Sequence, residues 1–127
     1  MATPLENLDI RLADGVVLAD VRGEVDLSNA PSVKQRLLRA VPNTALALVL
    51  DLSRTDYLDS SGVALIFELA ERLGARGQKL QLVVPDVSVI KRVLVLTEVE
   101  QVAPMFASAD EALLAAGLRP EAAGGTP

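Results

Sequence analysis

Residues 45–63, with the sequence ALALVLDLSRTDYLDSSGV, combine an apolar run, a polar connection and the start of a helix. The apolar run Ala45–Leu50 is continuous, which is typical of a central strand covered on both faces. A polar loop is predicted over Ser53–Asp59. Ser60-Ser61-Gly62 then opens a helical pattern that continues through Leu73. A strand that leads into a helix in this way predicts an α/β fold.

Upstream of this stretch, the pattern predicts a hairpin followed by a helix. Leu8–Leu12 and Val16–Val21 carry strand patterns and flank the turn signal Ala13-Asp14-Gly15. Apolar residues then recur every four positions from Val33 to Val41, which indicates an amphipathic helix. The sheet is therefore expected to open with an N-terminal hairpin.

Downstream, strand and helix patterns continue to alternate. Leu80–Val84 predicts a strand, Pro85–Leu96 a helix, and Gln101–Val102 a further short strand. Ser108 and Glu111 have the spacing of a capping box at the start of a last helix, which is expected to end at residue 117.

These elements define the expected architecture. Strands that alternate with helices form parallel pairs through right-handed crossovers, whereas the hairpin adds an antiparallel pair. We predict a single α/β domain over residues 1–117, with a mixed β-sheet opened by the hairpin and covered by about four helices. Residues 118–127 are rich in Pro, Gly and Ala and are predicted to form a disordered tail.

The composition excludes several classes of function. None of the 127 residues is Cys or His, which removes thiolate and imidazole metal sites and the histidine-dependent nucleophiles of many hydrolases. We therefore predict no enzyme activity, metal or cofactor. The 12 basic and 17 acidic residues give a net charge of −5, and aromatic residues are scarce, so nucleic acid is not an expected partner. No apolar run reaches the roughly 18 residues of a membrane span, which predicts a cytoplasmic protein without a membrane partner.

Carboxylates collect where the predicted strands end. Because the carboxyl ends of parallel strands share one edge of a sheet, we expect an electronegative rim there. The helix that starts at Ser60 or Ser61 is expected to bring free backbone N–H groups to the same rim. The carboxylates of the rim are Glu24, Asp26, Asp51, Asp56, Asp59 and Asp86.

The sequence Asp59-Ser60-Ser61-Gly62 has two interpretations. Helix capping alone needs one such residue and contributes about 1 kcal/mol. Here two serines follow Asp59, which is more than a cap needs. They are followed by a glycine, which destabilises a helix by roughly 1 kcal/mol and so calls for another explanation. Gly62 also removes side-chain bulk beside the hydroxyls, as the approach of a kinase or partner would require. We predict phosphorylation at Ser61, which adds about −1.5 to −2 charges and repels a partner without refolding the domain.

The predicted helix after Ser61 has a wide apolar stripe. Its arc spans roughly 200°, more than one face of a sheet needs. Leu65 and Leu69 widen the stripe and are candidate partner contacts. The ordinary explanation is that both leucines pack against a neighbouring helix.

Three blocks of the sequence resemble STAS domains, and above all the bacterial anti-sigma-factor antagonists. They are GEVDLSNA at 23–30, VLDL at 49–52 and YLDSSGV at 57–63, and RVLVLT at 92–97 adds to them. The resemblance extends from about Leu8 to Ala116. One departure is Glu98, where the family often has glycine after the threonine, and a reshaped loop is expected there.

The resemblance implies a partner-switching function. The unphosphorylated protein would bind an anti-sigma factor that is also a serine kinase, and thereby release a sigma factor. Phosphorylation of Ser61 would end binding, and a serine phosphatase would restore it. Residues in the matching blocks are the implied partner contacts: Asp26, Ser28, Asn29, Asp59, Ser60, Gly62 and Thr97.

Two alternatives remain open on the sequence alone. The first is a STAS scaffold that binds an anti-sigma factor without being phosphorylated, through the same helix and rim. The second is a phosphoacceptor domain in which Asp26, Asp51, Asp56 and Asp59 hold Mg²⁺ and one aspartate accepts the phosphate. The acidic pair and the late lysine that receiver domains place around such a site are missing here.

Overall fold

A computed structural model describes residues 7–117 of the chain. The elements alternate along the chain much as the sequence pattern predicts. In chain order they are β1 (Leu8–Ala13), β2 (Val16–Val21), β3 (Gly23–Val25), α1 (Ala30–Ala40), β4 (Ala47–Asp51), β5 (Thr55–Leu58), α2 (Ser60–Gly74), β6 (Lys79–Val83), α3 (Val89–Leu96), a 3₁₀ helix (Val99–Gln101), β7 (Met105–Phe106) and α4 (Ala109–Ala115).

The main sheet has five strands in the order β1-β2-β4-β6-β7. β1 and β2 pair antiparallel around a two-residue turn, in which Asp14 (φ +52°) and Gly15 (φ +82°) take the left-handed conformation that matches the twist of a hairpin. The pairs β2–β4, β4–β6 and β6–β7 are parallel. The predictions of a mixed sheet and an opening hairpin are confirmed.

Strand β4 lies at the centre of the domain. Ala47, Leu48 and Val49 are fully buried, and the residues alternate between two apolar clusters. The larger cluster lies between the sheet and the helices α1, α2 and α3, and the smaller cluster lies under α4. The prediction that this run is covered on both faces is confirmed.

A second, two-stranded sheet was not predicted. β3 and β5 pair in parallel, so that the predicted loop Ser53–Asp59 contains a strand. The hydroxyl of buried Thr55 donates to the Val21 carbonyl at 2.7 Å, and the Gly23 N–H donates to the Arg54 carbonyl at 3.0 Å. This small sheet carries the chain from β4 to the start of α2.

Two predictions in the C-terminal part were wrong in position. α3 begins after Ser88, whose hydroxyl accepts from the Lys91 N–H at 3.0 Å, and not at Pro85. The segment 101–102 ends the 3₁₀ helix, because Gln101 is its last residue and Val102 donates to the Val99 carbonyl. The strand forms later, as β7. The predicted tail, 118–127, lies outside the described residues. Within 7–117, no helix has the length and apolarity to cross a membrane.

Candidate functional site

Asp59 connects the start of α2 with the turn that precedes α1. One carboxylate oxygen, Oδ1, accepts from the N–H groups of Ser61 (2.8 Å) and Gly62 (3.1 Å), which makes Asp59 the N-cap of α2. The other oxygen, Oδ2, accepts from the Leu27 N–H at 3.2 Å. A single side chain therefore fixes the backbone of Ser61 relative to the turn at residues 26–29.

The turn at 26–29 is held by its own polar side chains. Asp26 Oδ1 accepts from the hydroxyl and from the N–H of Ser28, and the hydroxyl is the main cause that holds the pKa of Asp26 below its ordinary value. Asn29 accepts from the Asp26 N–H at 3.0 Å and donates to the Glu24 carbonyl at 2.9 Å. Asp26, Ser28 and Asn29 thus form one ordered polar loop beside α2.

A groove of about 220 Å³ runs between α1 and α2 and begins at Ser61. The Ser61 hydroxyl forms no hydrogen bond with another residue of 7–117, so it is available to a partner. Leu27, with 73% of its surface exposed, lies on the groove, and the Lys34–Glu68 ion pair (2.7 Å) joins α1 to α2 along it. The remaining lining residues are Ala30, Pro31, Ala64 and Leu65.

The sequence did not point to Leu27, Lys34 or Glu68 as groove residues. A leucine directly between the polar residues Asp26 and Ser28 was the available signal for an exposed contact. The two charged residues come from different helices, and their pairing depends on the packing of α1 against α2.

The expected free N–H groups at the start of α2 are mostly occupied. The Asp59 N–H donates to the Val25 carbonyl at 3.2 Å, and the Asp59 carboxylate accepts from the N–H groups of Ser61 and Gly62. Among the described residues, the Ser60 N–H is the amide of this first turn that has no acceptor. The start of α2 therefore has fewer free N–H groups for an incoming anion than the sequence suggested, because the Asp59 carboxylate already accepts from two of them.

Gly62 has a packing role that the sequence did not reveal. It is buried, and a Cβ built on it would lie 2.9 Å from Leu58 Cδ2 and 3.0 Å from the Val25 carbonyl oxygen. The interpretation that Gly62 makes room for a partner is wrong, since the space is taken by β3 and β5 of this chain. The glycine allows α2 to begin against the small sheet.

The prediction that Leu65 and Leu69 form a partner surface needs correction. Leu69 is fully buried and Leu65 is 5% exposed, and both belong to the main core. Leu69 cannot meet a partner in the folded domain, whereas the edge of Leu65 forms the floor of the groove. The wide apolar stripe of α2 is explained by contacts with both α1 and the sheet.

Other predicted rim residues lie apart from this groove. The Thr97 hydroxyl donates to the carbonyls of Val93 (2.8 Å) and Leu94 (3.2 Å) and so closes the end of α3. Asp51 accepts from the Ser53 N–H at 2.9 Å, as an ordinary turn residue does. No hydrogen bond among residues 7–117 links either side chain to Ser61. The next residue, Glu98, takes the left-handed conformation (φ +62°, ψ +33°).

The aspartates do not assemble as the Mg²⁺-dependent alternative requires. Within the described residues, no three Asp, Glu, His or Cys side chains lie close enough together to hold a metal ion. Asp26 Oδ1 and both carboxylate oxygens of Asp59 accept from backbone or hydroxyl donors, and Asp56 is exposed on β5.

This arrangement agrees with the comparison of the sequence with protein families. The model of the STAS domain family matches residues 7–112, which include both helices of the groove and the Asp59–Gly62 cap. The chain belongs to the STAS domain family. The STAS fold predicted from the sequence is confirmed.

Several relatives of this STAS domain are named as anti-sigma factor antagonists. The anti-sigma-F factor antagonist RsfB of Mycobacterium tuberculosis is 28% identical over 116 residues, which cover 89% of this chain and 92% of RsfB. A crystal structure of an anti-sigma factor antagonist from Mycobacterium paratuberculosis has a TM-score of 0.76 and 29% identity, over 86% of this chain and 92% of that chain. Unphosphorylated SpoIIAA, at 19% identity and a TM-score of 0.64, covers 94% of this chain and 99% of its own, and shows the shared fold alone.

Proposed function

We propose that this STAS domain is an anti-sigma-factor antagonist that binds its anti-sigma factor at the Ser61 groove and is switched off by phosphorylation of Ser61. The observation that carries the proposal is the Ser61 hydroxyl at the mouth of a groove beside the exposed Leu27, where it bonds to no other residue of 7–117. The names of relatives that match about nine tenths of the chain support the same function.

The partner in this proposal is an anti-sigma factor with serine kinase activity. Ser61 supplies the oxygen that forms a new O–P bond with the γ-phosphorus of ATP, the bond from that phosphorus to the bridging oxygen breaks so that ADP leaves, and the hydroxyl proton goes to a base of the kinase. A serine phosphatase would reverse the modification. The protein itself acts in the cytoplasm as a binding module and catalyses no reaction.

A phosphate at Ser61 would act through charge and bulk at the groove. The Asp59 carboxylate already accepts from the Ser61 N–H, so the new anion would lie close to a fixed negative charge. Since Asp59 holds the backbone of this turn, the domain keeps its conformation while its surface changes. A partner that fits the free hydroxyl then meets repulsion of several kcal/mol, and a loss of about 3 kcal/mol lowers affinity more than a hundredfold.

The experiment pairs Ser61→Ala with Ser60→Ala, which removes the exposed neighbouring hydroxyl. Each variant is incubated with the purified anti-sigma factor of the same organism, ATP and Mg²⁺, and its mass is measured intact and after peptide mapping. We expect one phosphate on the wild type and on Ser60→Ala, and none on Ser61→Ala.

Binding to the same anti-sigma factor is then measured by calorimetry. The phosphorylated protein and Ser61→Asp should bind more weakly than the wild type, and Ser61→Ala should stay bound in the presence of ATP. Equal affinity of the phosphorylated and unmodified forms would contradict the switch and favour a scaffold that works without phosphorylation. Phosphate found on an aspartate would favour the phosphoacceptor alternative.

A further inference from the structure

The outer edge of β1 is an unpaired strand edge. Within residues 7–117, β1 has one neighbour in the sheet, β2, and lies at the end of the order β1-β2-β4-β6-β7. An edge of six residues presents a row of main-chain groups to which another strand can bind.

The hairpin register determines which groups of β1 face outward. The Arg22 N–H donates to the Asn7 carbonyl, and Ala13 and Val16 pair beside the two-residue turn, so the odd-numbered residues bond to β2. Because hydrogen-bonding directions alternate along an antiparallel strand, the N–H and C=O groups of Leu8, Ile10 and Leu12 point away from β2.

The side chains of this edge are complementary to themselves. If a second copy of β1 lies antiparallel with Ile10 opposite Ile10, then Asp9 lies opposite Arg11 of the second copy, and Arg11 opposite Asp9. In the same register Leu8 lies opposite Leu12. All three outward-facing residues then find partners, which gives about six main-chain hydrogen bonds.

The exposure of the edge agrees with this register. Asp9 and Arg11 are exposed, and neither forms an ion pair within residues 7–117. Leu12 is 63% exposed although it shares a face with buried Leu8 and with Ile10, which packs on the core. Pairing would place Leu12 against the apolar side of the second copy and would bury it.

We infer that β1 is a self-association surface, through which two copies of this chain pair edge to edge about Ile10 to form a symmetric dimer with a continuous ten-stranded sheet. The ten strands are the five of each main sheet. Symmetric pairing requires each surface to complement itself, and the Asp9–Arg11 pattern meets that condition. The surface is small and each copy carries a net charge of −5, so we expect weak association, with a Kd on the order of 100 µM.

Charge reversal tests the register directly. Asp9→Arg and Arg11→Asp are prepared separately, and each single variant places like charges opposite each other on both sides of the axis. Sedimentation equilibrium up to about 1 mM protein, at physiological salt where the Debye length is about 8 Å, measures self-association. We expect the Kd of each single variant to rise at least about tenfold above that of the wild type.

Two combinations should restore association. A mixture of the two single variants again places opposite charges across the axis, and so does the double variant Asp9→Arg/Arg11→Asp. Arg92→Glu, on the exposed surface of α3, is the matched control and should associate like the wild type. Thermal unfolding of all variants verifies that the domain folds.

Cysteine cross-linking reports the register independently, because the chain has no cysteine of its own. In the proposed register only residue 10 meets itself, at a Cα separation of about 5.5 Å that a disulfide can span. Ile10→Cys should therefore form covalent dimers under mild oxidation, whereas Leu12→Cys should form far fewer. A wild-type protein that is monomeric at about 1 mM, or a dimer that is indifferent to both charge reversals, would overturn the inference.

Discussion

The two helices that form the walls of the groove begin in different ways. α2 begins at Asp59, whose carboxylate accepts from two N–H groups of the first turn. α1 begins at Asn29, whose side chain forms no bond with its own helix and instead bonds to the Glu24 carbonyl and the Asp26 N–H. Pro31 in the first turn of α1 has no N–H to satisfy.

This difference assigns separate tasks to two residues that are both good helix caps. Asp59 positions the serine backbone, while Asn29 builds the polar loop that presents Leu27. The hydrogen bond from the Leu27 N–H to Asp59 Oδ2 connects the two parts. Residue type alone therefore does not show whether an Asp or Asn caps its own helix or shapes the turn before it.

The largest effect is expected when Asp59 is compared with Asn29. Asp59→Ala removes the cap of α2 and the bond to Leu27, and should lower the free energy of unfolding by about 2 kcal/mol. Asn29→Ala removes two turn bonds and no cap, and should cost about 1 kcal/mol. Urea unfolding at neutral pH measures both. Equal losses in the free energy of unfolding would contradict the distinction between Asp59 as a helix cap and Asn29 as a turn residue.

The second prediction compares two glycines of α2. A Cβ built on Gly74 meets no atom of the described neighbouring elements within 4 Å, so Gly74→Ala should stabilise the domain by about 0.5 kcal/mol through the unfolded state. Gly62→Ala gains the same helix propensity but places a Cβ 3.0 Å from the Val25 carbonyl, and should destabilise the domain by about 1 kcal/mol. Thermal unfolding gives the sign of each change. A stabilising Gly62→Ala would mean that the start of α2 can move away from β3.

The smallest effect on stability is expected for a substitution in the polar loop at residues 26–29, which precedes α1. Ser28→Ala removes the hydroxyl that mainly holds the pKa of Asp26 low, so this pKa should rise toward its ordinary value, as an NMR titration of the Asp26 carboxyl would show. Because the pKa is lowered in the folded state, the ionised carboxylate stabilises the fold above its ordinary pKa. That contribution is lost as the pH falls through the native pKa.

Wild type should therefore lose more stability than Ser28→Ala on acidification below about pH 4. Above that pH range, the difference between the free energies of unfolding of the two proteins should be constant. An unchanged Asp26 titration in Ser28→Ala would show that the backbone donors of the loop, and not the hydroxyl, set this pKa.

Long segments with a single dominant pattern were predicted correctly from the sequence. The continuous apolar run of β4, the period of α1 and α2, and the Asp14-Gly15 turn each require one structure. Ser108 was also placed correctly, since its hydroxyl accepts from the Glu111 N–H at 3.2 Å. Each of these structures is determined by residues close together in the sequence, so the local pattern is sufficient to predict it.

The features that were missed depend on contacts between distant residues. Strand β5 contains exposed Asp56 and Tyr57, and it is a strand because β3 lies beside it and Thr55 bonds to Val21. The burial of Leu69 requires α1 to lie against α2. The sequence indicated Ser61 at the groove and Asp26 and Asp59 beside it. That Asp59 bonds both to the first turn of α2 and to the Leu27 N–H follows from tertiary structure.

Glu98, which follows the end of α3, carries backbone strain. Its left-handed φ of +62° is a conformation that glycine adopts freely and other residues adopt at a cost of about 1 kcal/mol or more. The side chain returns part of that cost, because it accepts from Gln101 Nε2 at 2.8 Å. Glu98→Gly would therefore remove this strain and this hydrogen bond together, and would meet no steric barrier at this backbone conformation.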